Sequence, residues 1–161
     1  MSNFSSIAQR FPVYSLVFCF VLTGCGEPKP EGFPTLYPLT LTFVQDGGPC
    51  ADTTIILVPQ DSNPWTTGGV TDANGVVTFR THGKHSGVPA GTYKITASKI
   101  EQEFIYGPGG EVQKANNYCL INPDYGSPDK SPFAIEVVAG KNNFEPFDLG
   151  KKVRVLQSSS Y

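Results

Sequence analysis

Charged side chains are scarce in this chain, which argues against proteins that bind their partners mainly through charge, such as nucleic-acid-binding proteins. Asp, Glu, Lys and Arg make up 16% of the 161 residues, and the formal net charge is −2. The sequence contains no run of basic residues, so it lacks the electrostatic footprint of a nucleic-acid-binding protein. We therefore expect no nucleic-acid partner.

Helical periodicity and metal-binding motifs are also missing. Beyond the first two dozen residues, no segment spaces its apolar side chains as an amphipathic helix does. The four cysteines contain no C-x-x-C pair, which argues against a zinc site. His82 and His85 belong to a glycine-containing loop with no acidic or cysteine ligand nearby in sequence. We expect neither a metal site nor a cofactor.

Catalytic motifs are absent as well. The sequence has no G-x-S-x-G element, no phosphate-binding loop and no paired carboxylates. Asp72 and Asn74 match only part of a calcium-loop pattern, and a tight turn explains both of them. The sequence therefore predicts that the protein is not an enzyme.

What the chain does have at its start is a short apolar run. Arg10 is the only charged residue before Glu27, and the run from Phe11 to Leu22 follows it directly. Twelve helical residues cover about 18 Å, whereas a bilayer core needs roughly 20 apolar residues. A positive segment, a short apolar segment and small residues after it are typical of a secretory signal. Residues 1–24 are therefore predicted to be a signal peptide.

The end of that run, Leu22-Thr23-Gly24-Cys25, resembles the lipobox of bacterial lipoproteins. The resemblance implies cleavage before Cys25, alkylation of its thiol with diacylglycerol and acylation of the new amino terminus. Residues 25–36 are rich in Pro and Gly and would form a tether. Gly26 after the cysteine favours the outer membrane or cell surface over the inner membrane. The alternative is an ordinary signal peptide cleaved nearby.

Two cysteines then remain to be explained. Cys19 leaves with the signal peptide and Cys25 carries lipid, so Cys50 and Cys119 are left in an exported, oxidising compartment. They are a candidate disulfide. The alternative is a pair of buried free thiols.

The rest of the chain has the pattern of an all-β domain over residues 37–156, with a short tail at 157–161. Alternating apolar residues predict strands whose inward side chains are Leu39, Leu41 and Phe43, then Tyr93, Ile95 and Ala97, then Phe133, Ile135 and Val137. "TDANG", Thr71 to Gly75, predicts a hairpin turn before a returning strand, Val76 to Thr81. Phe144, Phe147 and Leu149 are predicted to return in a closing hairpin. Residues 108–132 are predicted to form a structured excursion.

Three segments, "GGVTDANGVVTFRT", "GVPAGTYKITASK" and "SPFAIEVVAGKNNFEPFDL", resemble the carboxypeptidase regulatory-like, transthyretin-like domain of small bacterial lipoproteins. The resemblance implies a Greek-key β-sandwich of about seven strands that acts as a non-catalytic binding or structural module. One transthyretin-like class, the hydroxyisourate hydrolases, ends in a Tyr-Arg-Gly-Ser tail that "RVLQSSSY" does not match.

Four aromatic residues fall in predicted loops: Trp65, Tyr106, Tyr118 and Tyr125. Such rings can stack on sugars or anchor a protein partner, so the alternative function is a carbohydrate-binding module. They can equally pack the loops onto the sandwich. Besides the lipid bilayer at Cys25, the predicted partner is thus an unidentified envelope protein or a glycan.

Overall fold

The computed structural model describes residues 29–157, and these are built almost entirely of β-strands. The predicted signal peptide, its cleavage residues Leu22, Thr23, Gly24 and Cys25, and the lipidated cysteine all lie outside the described residues, as does most of the tail. The strands are β1 Leu36–Tyr37, β2 Thr40–Gln45, β3 Gly48–Pro49, β4 Thr54–Pro59, β5 Thr67–Val70, β6 Val76–Thr78, β7 Arg80–Thr81, β8 His85–Ser86, β9 Val88–Pro89, β10 Gly91–Ser98, β11 Ile100–Tyr106, β12 Val112–Cys119, β13 Ala134–Val137, β14 Phe147–Asp148 and β15 Val155–Leu156. Pro123–Gly126 forms a single 3-10 turn.

The strands form several sheets in an arrangement consistent with a β-sandwich. One sheet has six strands in the order β13-β10-β4-β5-β7-β8, and a second is built around β2, which pairs with β14, β3 and β6. A three-stranded sheet has the order β11-β12-β15, and β1 pairs with β9. Neighbouring strands are antiparallel except β14 and β2, which are parallel.

The predicted alternation produces the core. Leu41 and Phe43 of β2 are buried, and so are Tyr93 and Ile95 of β10 and Val137 of β13. Residues of both main sheets belong to one hydrophobic cluster that runs in sequence from Leu39 to Leu149. Because side chains of a strand alternate between its two faces, period-two spacing was enough to identify these inward positions.

The "TDANG" turn forms as predicted. Gly75 takes a φ of 74°, and its N–H donates to the carbonyl of Asp72 at 2.9 Å. The Asp72 carboxylate accepts from the N–H groups of Asn74 and Val76, both at 2.9 Å. Side-chain acceptance of this kind stabilises a turn locally, so the role of these residues is conformational.

The returning strand after this turn divides between two sheets. β6 pairs with β2, whereas β7 pairs with β5 in the six-stranded sheet. The crossing is close: a Cβ on Gly69 would lie 2.6 Å from the carbonyl oxygen of Thr78. A glycine is required there because only a hydrogen atom fits between the two backbones.

The predicted closing hairpin is wrong. β13 pairs with β10, but β14 does not return beside β13 and instead pairs with β2 in parallel. Residues 138–146 carry the chain from β13 in the six-stranded sheet to the sheet that contains β2. Leu149 is nevertheless buried, as the apolar pattern predicted.

Pro34–Tyr161 is a compact unit of the chain, and all members of the hydrophobic cluster lie in it. Among residues 29–157, no helix is long and apolar enough to cross a membrane.

Candidate binding surface

The three-stranded sheet of β11, β12 and β15 carries most of the exposed large hydrophobic side chains of the described chain. We call this sheet the arm. β11 and β12 form a hairpin in which Ile100 lies opposite Cys119 and Phe104 opposite Ala115. β15 adds to the other side of β12, with Tyr118 opposite Leu156. The second strand of this hairpin, β12, occupies part of the structured excursion that the sequence predicted for residues 108–132.

Both faces of the arm are open to solvent over most of its length. Of ten exposed large hydrophobic side chains in the described residues, seven belong to the arm: Ile100, Phe104, Ile105, Tyr106, Val112, Val155 and Leu156. Tyr106 is 61% exposed. Contiguous exposed apolar surface on a folded domain marks an interaction site more often than a scattered single residue does.

One face of the arm carries a charged network around Arg154, and we call it the charged face. The Arg154 guanidinium donates to Glu101 at 2.9 Å and to Glu103 at 3.3 Å. It also stacks on the Tyr118 ring, with 3.6 Å between the guanidinium carbon and the ring centroid. The Tyr118 hydroxyl donates to Glu103 at 3.0 Å. These contacts tie β15 to both strands of the hairpin.

The network shifts the ionisation of its members. The hydrogen bond from Tyr118 lowers the pKa of the Glu103 carboxyl, and the nearby Arg154 guanidinium lowers it further. The hydrogen bond to Glu101 is the main cause of the raised pKa of Arg154. All three charged groups are well exposed, so these pairs contribute little stability. They fix the arrangement of side chains on this face.

The opposite, apolar face has a different composition. The rings of Phe104 and Tyr106 lie 6.4 Å apart near the end of the hairpin. The turn that follows is closed by the N–H of Gly107, which donates to the carbonyl of Glu111 at 2.8 Å. Phe104, Tyr106 and Val112 thus lie towards the turn, whereas Ile100, Val155 and Leu156 lie at the end of the arm that carries Arg154.

The four aromatic residues that the sequence predicted as possible ligand contacts lie apart from one another in the structure. Tyr106 and Tyr118 lie on strands of the arm rather than in loops. Trp65 is half-buried after β4, with its ring edge-on to His82 at 5.8 Å. Tyr125 packs edge-on against Phe133 beside the core, with 5.1 Å between the ring centroids. The four rings occupy separate environments and do not form one stacking platform.

The predicted disulfide is not formed: Cys50 and Cys119, the two cysteines among residues 29–157, are both free and buried. The Cys50 sulfur lies 3.1 Å from the Thr53 hydroxyl, whereas the Cys119 sulfur accepts from the Gln157 amide at 2.9 Å. Each sulfur is held by its own local partner, and the two are not at disulfide distance. The alternative of two buried thiols is therefore the correct one for this structure.

The described residues form a groove and a smaller cleft at the surface of the sandwich. A groove of about 510 Å³ lies between Thr40 of β2 and the loop from Gly140 to Phe144, and Lys141 is its charged residue. Ligand pockets commonly occupy about 300–1,000 Å³, but a single lysine offers no acid–base pair. A cleft beside Trp65 and Ile56 measures about 150 Å³, which is below that range.

Within the described part of the chain, no group of three or more His, Cys, Asp or Glu side chains is placed to hold a metal ion. His82 lies beside Trp65, and His85 lies on β8 opposite Thr81.

Comparison with known proteins adds no assignment. No protein family, curated protein or solved structure matches the chain. The arm is therefore a candidate site on its own geometry.

Proposed function

We propose that this chain is an exported lipoprotein, anchored through acylated Cys25, that displays a non-catalytic β-sandwich in the cell envelope. The observation that carries the proposal is the lipobox-like Leu22-Thr23-Gly24-Cys25 followed by a domain with a complete core of its own. The buried cluster of the described residues begins at Leu39, so cleavage before Cys25 would remove none of its members. Two or three acyl chains make a stable anchor, whereas one is marginal.

The proposal includes a fold family. The three segments that resemble the carboxypeptidase regulatory-like, transthyretin-like domain supply Val77, Tyr93, Ile95, Ile135 and Val137 to one core. A shared core of these segments supports a Greek-key sandwich of about seven strands, to which the arm is an addition. A module of that family acts in binding or support rather than in catalysis.

We further propose that the arm is the contact surface for another protein of the envelope. Seven exposed apolar side chains lie on it beside a fixed charged face, and aromatic and arginine residues are enriched at protein interfaces. The glycan alternative requires several rings on one surface, and the four nominated rings are separated. A protein partner is therefore preferred.

Cross-linking on intact cells tests this contact surface. We expect the partner to be captured by the wild-type chain and to be lost when Val112 and Leu156, each 53% exposed, are both replaced by serine. The matched control replaces Val70 and Val138, which are 60% and 48% exposed outside the arm. Equal capture by both double variants would show that the arm is not the contact surface.

A further inference from the structure

β11 is an edge strand, and the backbone N–H and C=O groups on its outer side are not paired with another described strand. The carbonyl of Lys99 accepts from Leu120 at 2.9 Å, and the N–H of Gly107 donates to Glu111 at 2.8 Å. Since bonded residues alternate along an antiparallel strand, the odd-numbered residues of β11 face β12. The backbone groups of Gln102, Phe104 and Tyr106 therefore point outward, and within residues 29–157 no strand pairs with that edge.

This edge lacks several of the features that prevent strands from pairing, although it has a register shift near its end and two glutamates on one face. Natural edges are protected by proline, by lysine, by bulges or by a covering segment. β11, "IEQEFIY", contains neither proline nor lysine, and its single register shift lies at Ile105/Tyr106. Phe104, Ile105 and Tyr106 are exposed beside the open ladder. The edge is thus suited to receive another strand.

The charges on β11 favour one register for antiparallel pairing with a second copy of the same strand. An antiparallel pair has a two-fold axis at one residue, and opposed residues share a face. An axis at Gln102 would place Glu101 opposite Glu103, and an axis at Glu103 would place two Glu103 carboxylates opposite each other. An axis at Phe104 opposes Glu103 to Ile105 and Gln102 to Tyr106. Of the axes at Gln102, Glu103 and Phe104, only the last avoids opposed carboxylates; an axis at Ile105 opposes Glu103 to Gly107 and avoids them too, but it places no carboxylate beside Ile105.

The same register brings opposite charges together. Lys114 lies beside Ile105 on the charged face, and the second copy's Glu103 would lie on the other side of Ile105. Two strand spacings, about 9.5 Å, separate their backbones, and the extended side chains of Lys and Glu can cover that distance. The pairing is symmetric, so it supplies two such ion pairs.

We propose that two copies of this protein associate through β11, antiparallel about Phe104, to form one continuous six-stranded sheet from two arms. The contact uses about five residues of each copy, whereas a standard interface uses roughly 20–30 a side. Association is therefore weak in solution and strengthened where anchoring in one membrane raises the effective concentration. The inference goes beyond the proposed function, since it needs neither lipid nor an envelope partner.

Cysteine cross-linking of purified residues 26–161, which contain the whole core, tests the register. In the proposed pair, the two Phe104 Cα atoms lie about 5.5 Å apart, within the range for a disulfide. The two Gln102 residues are offset by about 13 Å along the strands. We expect Phe104→Cys to give a covalent dimer on mild oxidation, whereas Gln102→Cys and Tyr106→Cys alone stay monomeric. A mixture of the last two variants should cross-link.

Sedimentation of the unmodified fragment provides the second measurement. We expect its average mass to rise with concentration, and Phe104→Pro to abolish that rise. Proline at this position removes an outward N–H and leaves the bonds to β12 in place. A wild-type fragment that stays monomeric at the highest attainable concentration would overturn the proposal. So would cross-linking of Gln102→Cys to the same extent as Phe104→Cys.

Discussion

At the scale of single residues, local partners decide the state of the two cysteines. Cys50 is buried against Thr53, and Cys119 is buried against Gln157 near the end of β15. An oxidising compartment favours disulfides, but two sulfurs must also come within the geometric range of the bond. The sequence gives the number of thiols and predicts an exported compartment, but it does not reveal whether the two sulfurs come within bonding distance.

The free thiols can be checked directly. We expect Cys50 and Cys119 to resist alkylation in the folded protein because both are buried, and to react fully after unfolding without any reductant. Mass mapping under non-reducing conditions measures both states. Recovery of a peptide in which the two residues are linked would refute this assignment.

At the scale of elements, Arg154, which directly precedes β15, contacts both other strands of the arm. This residue joins β15 to both glutamates of β11 and stacks on Tyr118 of β12. Outside this network, β15 pairs with β12 at only two positions. The charged face therefore orders a short strand that backbone pairing alone would hold weakly.

Replacing Arg154 with alanine should loosen β15 and change the titration of Glu103. The pKa of Glu103 is lowered in the folded arm, so its contribution to stability is present above the unfolded pKa and disappears as pH falls through the lowered value. In Arg154→Ala the Glu103 pKa should rise towards its ordinary value, and amide exchange at Gln157, whose N–H donates to the Asn117 carbonyl at 2.8 Å, should accelerate. Both are measured by NMR, with Lys130→Ala, which removes an exposed ion pair outside the arm, as the control. An unchanged Glu103 titration would exclude this role for Arg154.

At the scale of the whole molecule, the sequence predicted correctly those strands that bury one of their two faces. β2, β10 and β13 each bury one face, so their apolar residues alternate and their inward positions were predicted correctly. β11 and most of β12 bury neither face. No inward–outward alternation marks them, and a glycine-rich turn suggested irregular structure instead. The parallel pairing of β14 with β2 joins residues about a hundred positions apart, and no local pattern encodes it.

A lipid at Cys25 is expected to hold this domain on a membrane, and metabolic labelling with palmitate tests this anchor most directly. The full-length chain should incorporate label, Cys25→Ser should not, and Cys19→Ser should label as the wild type does, because that residue is predicted to leave with the signal peptide. Equal labelling of wild type and Cys25→Ser would contradict the account.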